Sequence, residues 1–266
     1  MRISSTTQNK PGLGLKLAVI LFWLLVWQLS YLAVGEGLLL ASPLSVAKRL
    51  GELVFTGAFW LSIANSCWKI MLGYLLGIFT GSLLGVLTGL FPPAYEFVRL
   101  PMNIIKATPV ASFIILALIW IRSIYLSLFV AFLMVVPIVW TNIHQGIQET
   151  DRQLLEMAQV FRLSRSTIAK TIYLPSVLPY LLSAAQVSLG LAWKAGIAGE
   201  VLATPKNFIG TQLYNAKVYL LTDDLFAWTA VIILLSMVIE RLLVLLLSHL
   251  AARISLNLKR KRRAAS

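Results

Sequence analysis

The chain has 266 residues, of which 59% are hydrophobic and only 12% charged, with a mean hydropathy of +0.84, against about 25% charged residues in soluble domains. Those proportions exclude a soluble enzyme or binding module and require an integral membrane protein. The net charge of +13 would suggest a nucleic-acid partner in a soluble chain, but here membrane orientation accounts for it first and no nucleic acid is expected.

In chain order, a polar and basic stretch, residues 1–16, precedes an apolar run from Leu17 to Val34. That run is longer than a signal-peptide core and ends in Gly-Glu-Gly rather than at a small-residue cleavage site, so it is read as a retained first span. From Leu38 to Trp60, Ser42-Pro43 supplies a helix start, and Leu44, Ala47, Leu50, Leu53 and Val54 alternate with Lys48, Arg49 and Glu52. This spacing predicts an amphipathic helix at a membrane surface rather than a span.

The second span, Ser62 to Leu90, carries Gly73, Gly77, Gly81, Gly85 and Gly89. At 3.6 residues per turn these form one slowly drifting stripe where a neighbouring backbone can come close. Tight static packing and a smooth face for a sliding helix both fit the stripe. Cys67, the single cysteine, excludes an intrachain disulfide, and His144 and His249 lie too far apart for a metal-ligand pattern, so no metal is expected.

Pro92-Pro93 is read as the end of the second span, with a polar turn through Glu96 and Arg99 to Pro101. The third span is placed at Ile104 to Ile121, with Lys106 near its start and Pro109 as a kink, and the fourth at Ile124 to Ile143, with Pro137 as a second kink. A charged interval, Glu149 to Pro175, separates it from the fifth span, Val177 to Gly199, which contains Lys194. Glu200 to Asp224 reads as a polar loop, Leu225 to Leu250 as the sixth span, and residues 251–266 as a tail with the run Lys259 to Arg263, suited to anchoring at anionic lipid.

The domains are therefore a terminal segment 1–16, a six-helix membrane domain 17–250 and the basic tail 251–266. Six spans put both ends on one side. That side carries fifteen lysines and arginines, in the N-terminal segment, around Arg99 and Lys106, in the charged interval and in the tail, against five on the other: Lys48, Arg49, Arg122, Lys206 and Lys217. By the positive-inside rule both termini and the interval are cytoplasmic.

Within the interval, Leu154, Leu155, Ala158 and Phe161 recur on one face of a short helix, Ser164 and Ser166 supply turn chemistry, and Ile168 to Tyr173 resume a helical pattern. Two short helices joined by a bend make a docking element, or else a hairpin resting on headgroups. The spacing Glu156-Met157-Ala158, three residues, Arg162, nine residues, Ile172-Tyr173-Leu174-Pro175 resembles the EAA loop of binding-protein-dependent ABC importer permeases, EAA-x3-G-x9-I-x-LP. Met157 replaces the first alanine and Arg162 the glycine, which puts the angle of the bend in question.

The order of further features resembles the branch of that family that imports nitrate, sulfonates, taurine and thiamine precursors. These features are the glycine-rich helix, the Ile-Lys-Ala-Thr-Pro stretch before Val110, Ala192-Trp193, Gly199-Glu200 and Thr222-Asp223. The resemblance implies an all-α polytopic membrane protein of six helices, with a cytoplasmic coupling loop between the fourth and fifth. The coupling residues it marks are Glu156, Met157, Ala158, Phe161, Arg162, Ile172, Leu174 and Pro175. It also implies a homodimer, cytoplasmic ABC ATPase subunits that bind the ATP and Mg²⁺, an extracytoplasmic solute-binding protein, and no cofactor in the chain itself.

Lys194 at membrane depth, where an unpartnered charge costs at least ~2.5 kcal/mol, snorkels to the interface or lines a translocation path. Glu200, six residues on, is the second path candidate, though not on the same helix face. No GxxxxGK[ST] phosphate loop and no catalytic set at a common depth occur in the sequence. The remaining alternative is a secondary transporter or channel without an ATPase, which would not explain a projecting helix pair.

Overall fold

The computed structural model describes residues 13–263, with side chains described over 14–249; the expected N-terminal segment thus falls largely outside the described residues, as do the side chains of the tail. Among the described residues the fold is all helix. Five helices are long and apolar enough to cross a membrane, which makes up to six crossings if one bent pair of helices counts as a span.

Helix α1 (Leu13–Val34) is apolar all round and almost wholly unburied by its own chain. One fixed point is Trp27, whose Nε1 donates to Ala41 O at 3.0 Å and whose ring stacks on Phe226. Helix α2 (Pro43–Val54) starts where Ser42 Oγ accepts the N–H of Ser45 and Pro43 needs no donor of its own. Its polar face is clamped to the start of α11 (Thr222–Arg263): Arg49 Nε pairs with Asp224 Oδ1, Arg49 Nη2 reaches Oδ2 at 3.1 Å, and Ser45 Oγ donates to Asp223 at 2.8 Å. These carboxylate bonds, with one from Glu52, hold the Arg49 guanidinium above its ordinary pKa and keep it charged.

Helix α3 (Gly57–Leu90) and helix α6 (Ser123–Gln148) interlock along the glycine stripe. Ala131, Val135, Val139, Ile143 and Ile147, four residues apart on α6, fill the gaps at Gly73, Gly77, Gly81, Gly85 and Gly89. A Cβ on Gly73 would lie 2.2 Å from Leu128 O, and one on Gly77 2.6 Å from Val135 Cβ. The valines and isoleucines have few rotamers, so the fit is a rigid one.

Two expectations fail between these helices. The stretch after Pro92-Pro93 is no turn but helix α4 (Pro92–Ala107), because two prolines at the first helical positions remove donors that would be unpaired anyway. Tyr95, Val98, Met102 and Ile105 then give it an apolar face against Val136 and Trp140. Nor is the third span a single kinked helix. Thr108 and Pro109 are extended, and helix α5 (Val110–Ala117) leaves α4 at 102°.

Helix α7 (Arg152–Val160) and helix α8 (Arg165–Ile168) form the charged interval. A π turn, Ala169–Tyr173, joins α8 to helix α9 (Leu174–Ala203), so the fifth crossing begins well before Val177 and runs helically from Arg165. The supposed polar loop beyond Glu200 contains helix α10 (Ile209–Val218), with Phe208, Ile209 and Ala216 buried against the bundle. Its polarity misled because buried backbone and side-chain bonds satisfy it. Helix α11 continues past Leu250 to Arg263. The main cluster of buried residues lies between α3, α6, α9, α10 and α11 and includes Ile70, Tyr74, Val139, Trp193, Ile209 and Trp228, with separate smaller clusters at α5, at α2 and at α4.

Candidate functional site: a projecting elbow and a lysine-bearing helix face

The elbow is built by local hydrogen bonding. Asp151 caps α7, its Oδ1 accepting the N–H of Gln153 at 2.8 Å. At the other end Leu163 N donates to Ala158 O and Arg162 N to Gln159 O, both at 2.9 Å. Those two bonds are the paired closure of a left-handed helix end, which needs positive φ at the residue after the cap. Arg162 supplies it with φ of +52°. The arginine therefore keeps the bend that glycine gives, at a cost of about 1 kcal/mol for its Cβ. Ser164 then caps α8 by accepting from Thr167 N.

Burial divides α7 differently from the expected single face. Ala158 is buried and Leu155 half-buried, while Leu154, Met157, Val160 and Phe161 form an outward apolar edge, with Val160 80% and Phe161 70% exposed. Glu156 and Arg162 are exposed beside that edge. Ile172, within the π turn, is buried, Leu174 is exposed and Pro175 half-buried. Pro175 has no N–H for the carbonyl of Thr171, and the chain widens there, Leu174 N donating five residues back to Ala169 O.

On α9, Ala184, Ala185, Ser188, Ala192, Trp193 and Gly196 face the core. The opposite side exposes Ser183, Val187, Leu191, Lys194 and Ala198. Lys194 takes part in none of the ion pairs among the described residues.

Glu200 is not near it. Its carboxylate is fully buried, with Oε2 accepting from Ser66 Oγ at 2.8 Å and Gly210 N at 3.1 Å. Ser66 Oγ also accepts Ile209 N at 3.0 Å, so one serine and one carboxylate pin the start of α10 to α3 and α9. Sequence reasoning missed Ser66 and Gly210 as partners, since 134 residues separate Ser66 from Glu200.

The model of the family described as binding-protein-dependent transport system inner membrane component matches residues 73–256, most of the chain. Among curated proteins, the chain is 26% identical over 228 residues to the bicarbonate transport system permease protein of Synechococcus elongatus, covering 79% of each. It is 25% identical to the taurine transport system permease protein of Escherichia coli, over 80% of each. It is 29% identical to an Escherichia coli protein assigned as an aliphatic sulfonates transport permease, over 74% of this chain and 76% of that one.

Proposed function

Because the chain belongs to the binding-protein-dependent transport system inner membrane components, as the permease subunit of an ABC importer, we propose that its α7–α8 elbow is the seat of a separate cytoplasmic ATPase. One observation carries this reading: Leu154, Met157, Val160 and Phe161 stand exposed on a short helix whose end is fixed by hydrogen bonds. Apolar residues so exposed on a rigid, charged projection fit a protein cleft better than solvent.

The family implies an ATPase and a substrate-binding partner. In the proposed cycle, ATP and Mg²⁺ sit on two ATPase subunits and none on this chain. Closure of those subunits draws in the two elbows of a permease homodimer. Each elbow is continuous with α9 through α8 and the π turn, so its movement tilts α9 and opens the path to the delivering protein. Both termini face the cytoplasm, the chain lies in the inner membrane, and the basic tail rests on anionic lipid rather than nucleic acid.

The solute class is proposed as a small oxyanion. Support comes from the names of the relatives, which specify bicarbonate, taurine and sulfonates, and from Lys194, whose charge on an exposed face of α9 fits a wet path or a second subunit. Glu200 contributes from behind the path by holding α10.

The test is co-purification of the ATPase from native membranes with the tagged chain. Deleting residues 154–165 is expected to abolish it. Val160→Glu with Phe161→Glu, which touches only exposed side chains and spares the fold, is expected to reduce it about tenfold or more, as loss of a central apolar anchor does. Undiminished association of the folded double variant overturns the assignment.

A further inference from the structure

The helix pair read as the third crossing is broken between α4 and α5, just beyond Lys106. After α4 ends at Ala107, Thr108 and Pro109 are extended before α5 begins. Pro109 has no N–H for the carbonyl of Ile105, and the last carbonyls of α4 and first N–H groups of α5 lack partners within their own helices. Opposite stands a second interruption: Pro137, inside α6, has no N–H for the carbonyl of Leu133. Both border one cavity of about 190 Å³, lined by Lys106 and Thr108 and otherwise by apolar side chains that include Leu133, Pro137 and Leu191. Irregular backbone at membrane depth is tolerated where it lines a wet cavity or is buried in protein.

The one charged residue that lines this cavity, Lys106, has no carboxylate partner among the described residues. Lys106 Nζ donates to Thr141 Oγ1 at 2.7 Å and lies 5.5 Å from the centre of the Trp140 ring, which uses one of its three N–H donors. Lys194 lies on the exposed side of α9, three residues beyond Leu191 and so about 4.5 Å further toward the α10 end. Neither lysine is in an ion pair among the described residues.

We infer that the cavity between the α4–α5 break, Pro137 of α6 and Leu191 of α9 is a resting site for the oxyanion group of the transported solute. Lys106 holds the anion and Lys194 passes it in. The site rests on the permease reading and adds to it a second lysine and a place. A phosphate headgroup of an anionic lipid shares this chemistry. Residues 133–138 lie at the centre of the 26-residue helix α6, about 15 Å along the helix from either end, and the lipid arm of the test below separates a headgroup from the solute.

The test uses the full chain with Cys67→Ser and Leu191→Cys, in phosphatidylcholine vesicles, labelled with the anionic 2-sulfonatoethyl and the cationic trimethylammonioethyl methanethiosulfonates. Relative to Gln159→Cys on the exposed elbow, the anionic reagent is expected to be favoured about tenfold, as a cationic cleft concentrates counter-ions. Taurine or methanesulfonate at millimolar level slows it. Lys106→Gln and Lys194→Gln each erase most of the preference and Lys106→Arg restores it, with gel filtration confirming the fold. Equal labelling by both reagents, unchanged in the lysine variants, overturns the inference while leaving a wet path. Protection by added phosphatidylglycerol but not by the sulfonates overturns it in favour of a lipid site. If neither reagent reaches Leu191→Cys while Gln159→Cys reacts, the α9 face lines no path, and the inference falls together with that part of the permease reading.

Discussion

Arg162 shows what a single residue contributes. Its φ of +52° is held by the closing bonds of Leu163 and Arg162 to the end of α7. Arg162→Gly removes the strained Cβ and is expected to stabilise the protein by about 1 kcal/mol, read as a higher unfolding temperature in detergent. A lower one would show that the arginine side chain makes a compensating contact. Glu200 behaves in the opposite way. Glu200→Leu leaves the Gly210 N–H without its acceptor, and each buried group so stranded costs about 1–3 kcal/mol. Glu200→Gln keeps an acceptor oxygen, so its loss is expected to be smaller, and equal losses from the two variants would contradict the hydrogen-bond account. The irregularity at position 162 was visible in the sequence, because a spacing pattern marks where glycine is usual. The role of Glu200 was not visible, because its partners are contributed by remote helices.

Among the elements, the α3–α6 pair makes the most rigid statement. Gly73→Ala would drive a Cβ to 2.2 Å from the Leu128 carbonyl and Gly81→Ala one to 2.8 Å from Val139 Cβ. Each is expected to destabilise by about 1–3 kcal/mol or more, as overpacking does. Gly51→Ala on α2 meets nothing within 4 Å and is expected to be neutral or to gain up to about 1 kcal/mol from helix propensity. Fluorescence-detected thermal melts separate the three, and tolerance of Gly73→Ala would show that α3 and α6 do not interlock as described. The stripe was legible from its four-residue period. Its partner was not, since Val135, Val139, Ile143 and Ile147 share that period but nothing in the sequence pairs the two rows. Prolines were the other misleading sign. Pro92 and Pro93 do follow the end of α3 at Leu90, as read, but they start a helix where a turn was read, and Pro109 breaks a crossing where a kink was read. Proline fixes only its local geometry, while the packing of Tyr95 and Met102 against α6 decides that α4 forms.

At the scale of the molecule, hydropathy located every long crossing, and the charged interval emerged as a projecting elbow. Helix ends were less legible: α9 begins before its prolines and α10 hides in a polar loop, since both are decided by tertiary contacts. Orientation follows from lysine and arginine counts alone and is proposed on that basis. The central proposal is that the chain moves solute through force that a separate ATPase applies at the elbow. The direct measurement is uptake into proteoliposomes that hold the chain, the ATPase that co-purifies with it and the partner binding protein, using the ligand which that binding protein retains. Uptake is expected to require ATP on the ATPase side and to stop with Val160→Glu and Phe161→Glu. Uptake by the chain alone, driven by an ion gradient without the ATPase, would contradict it.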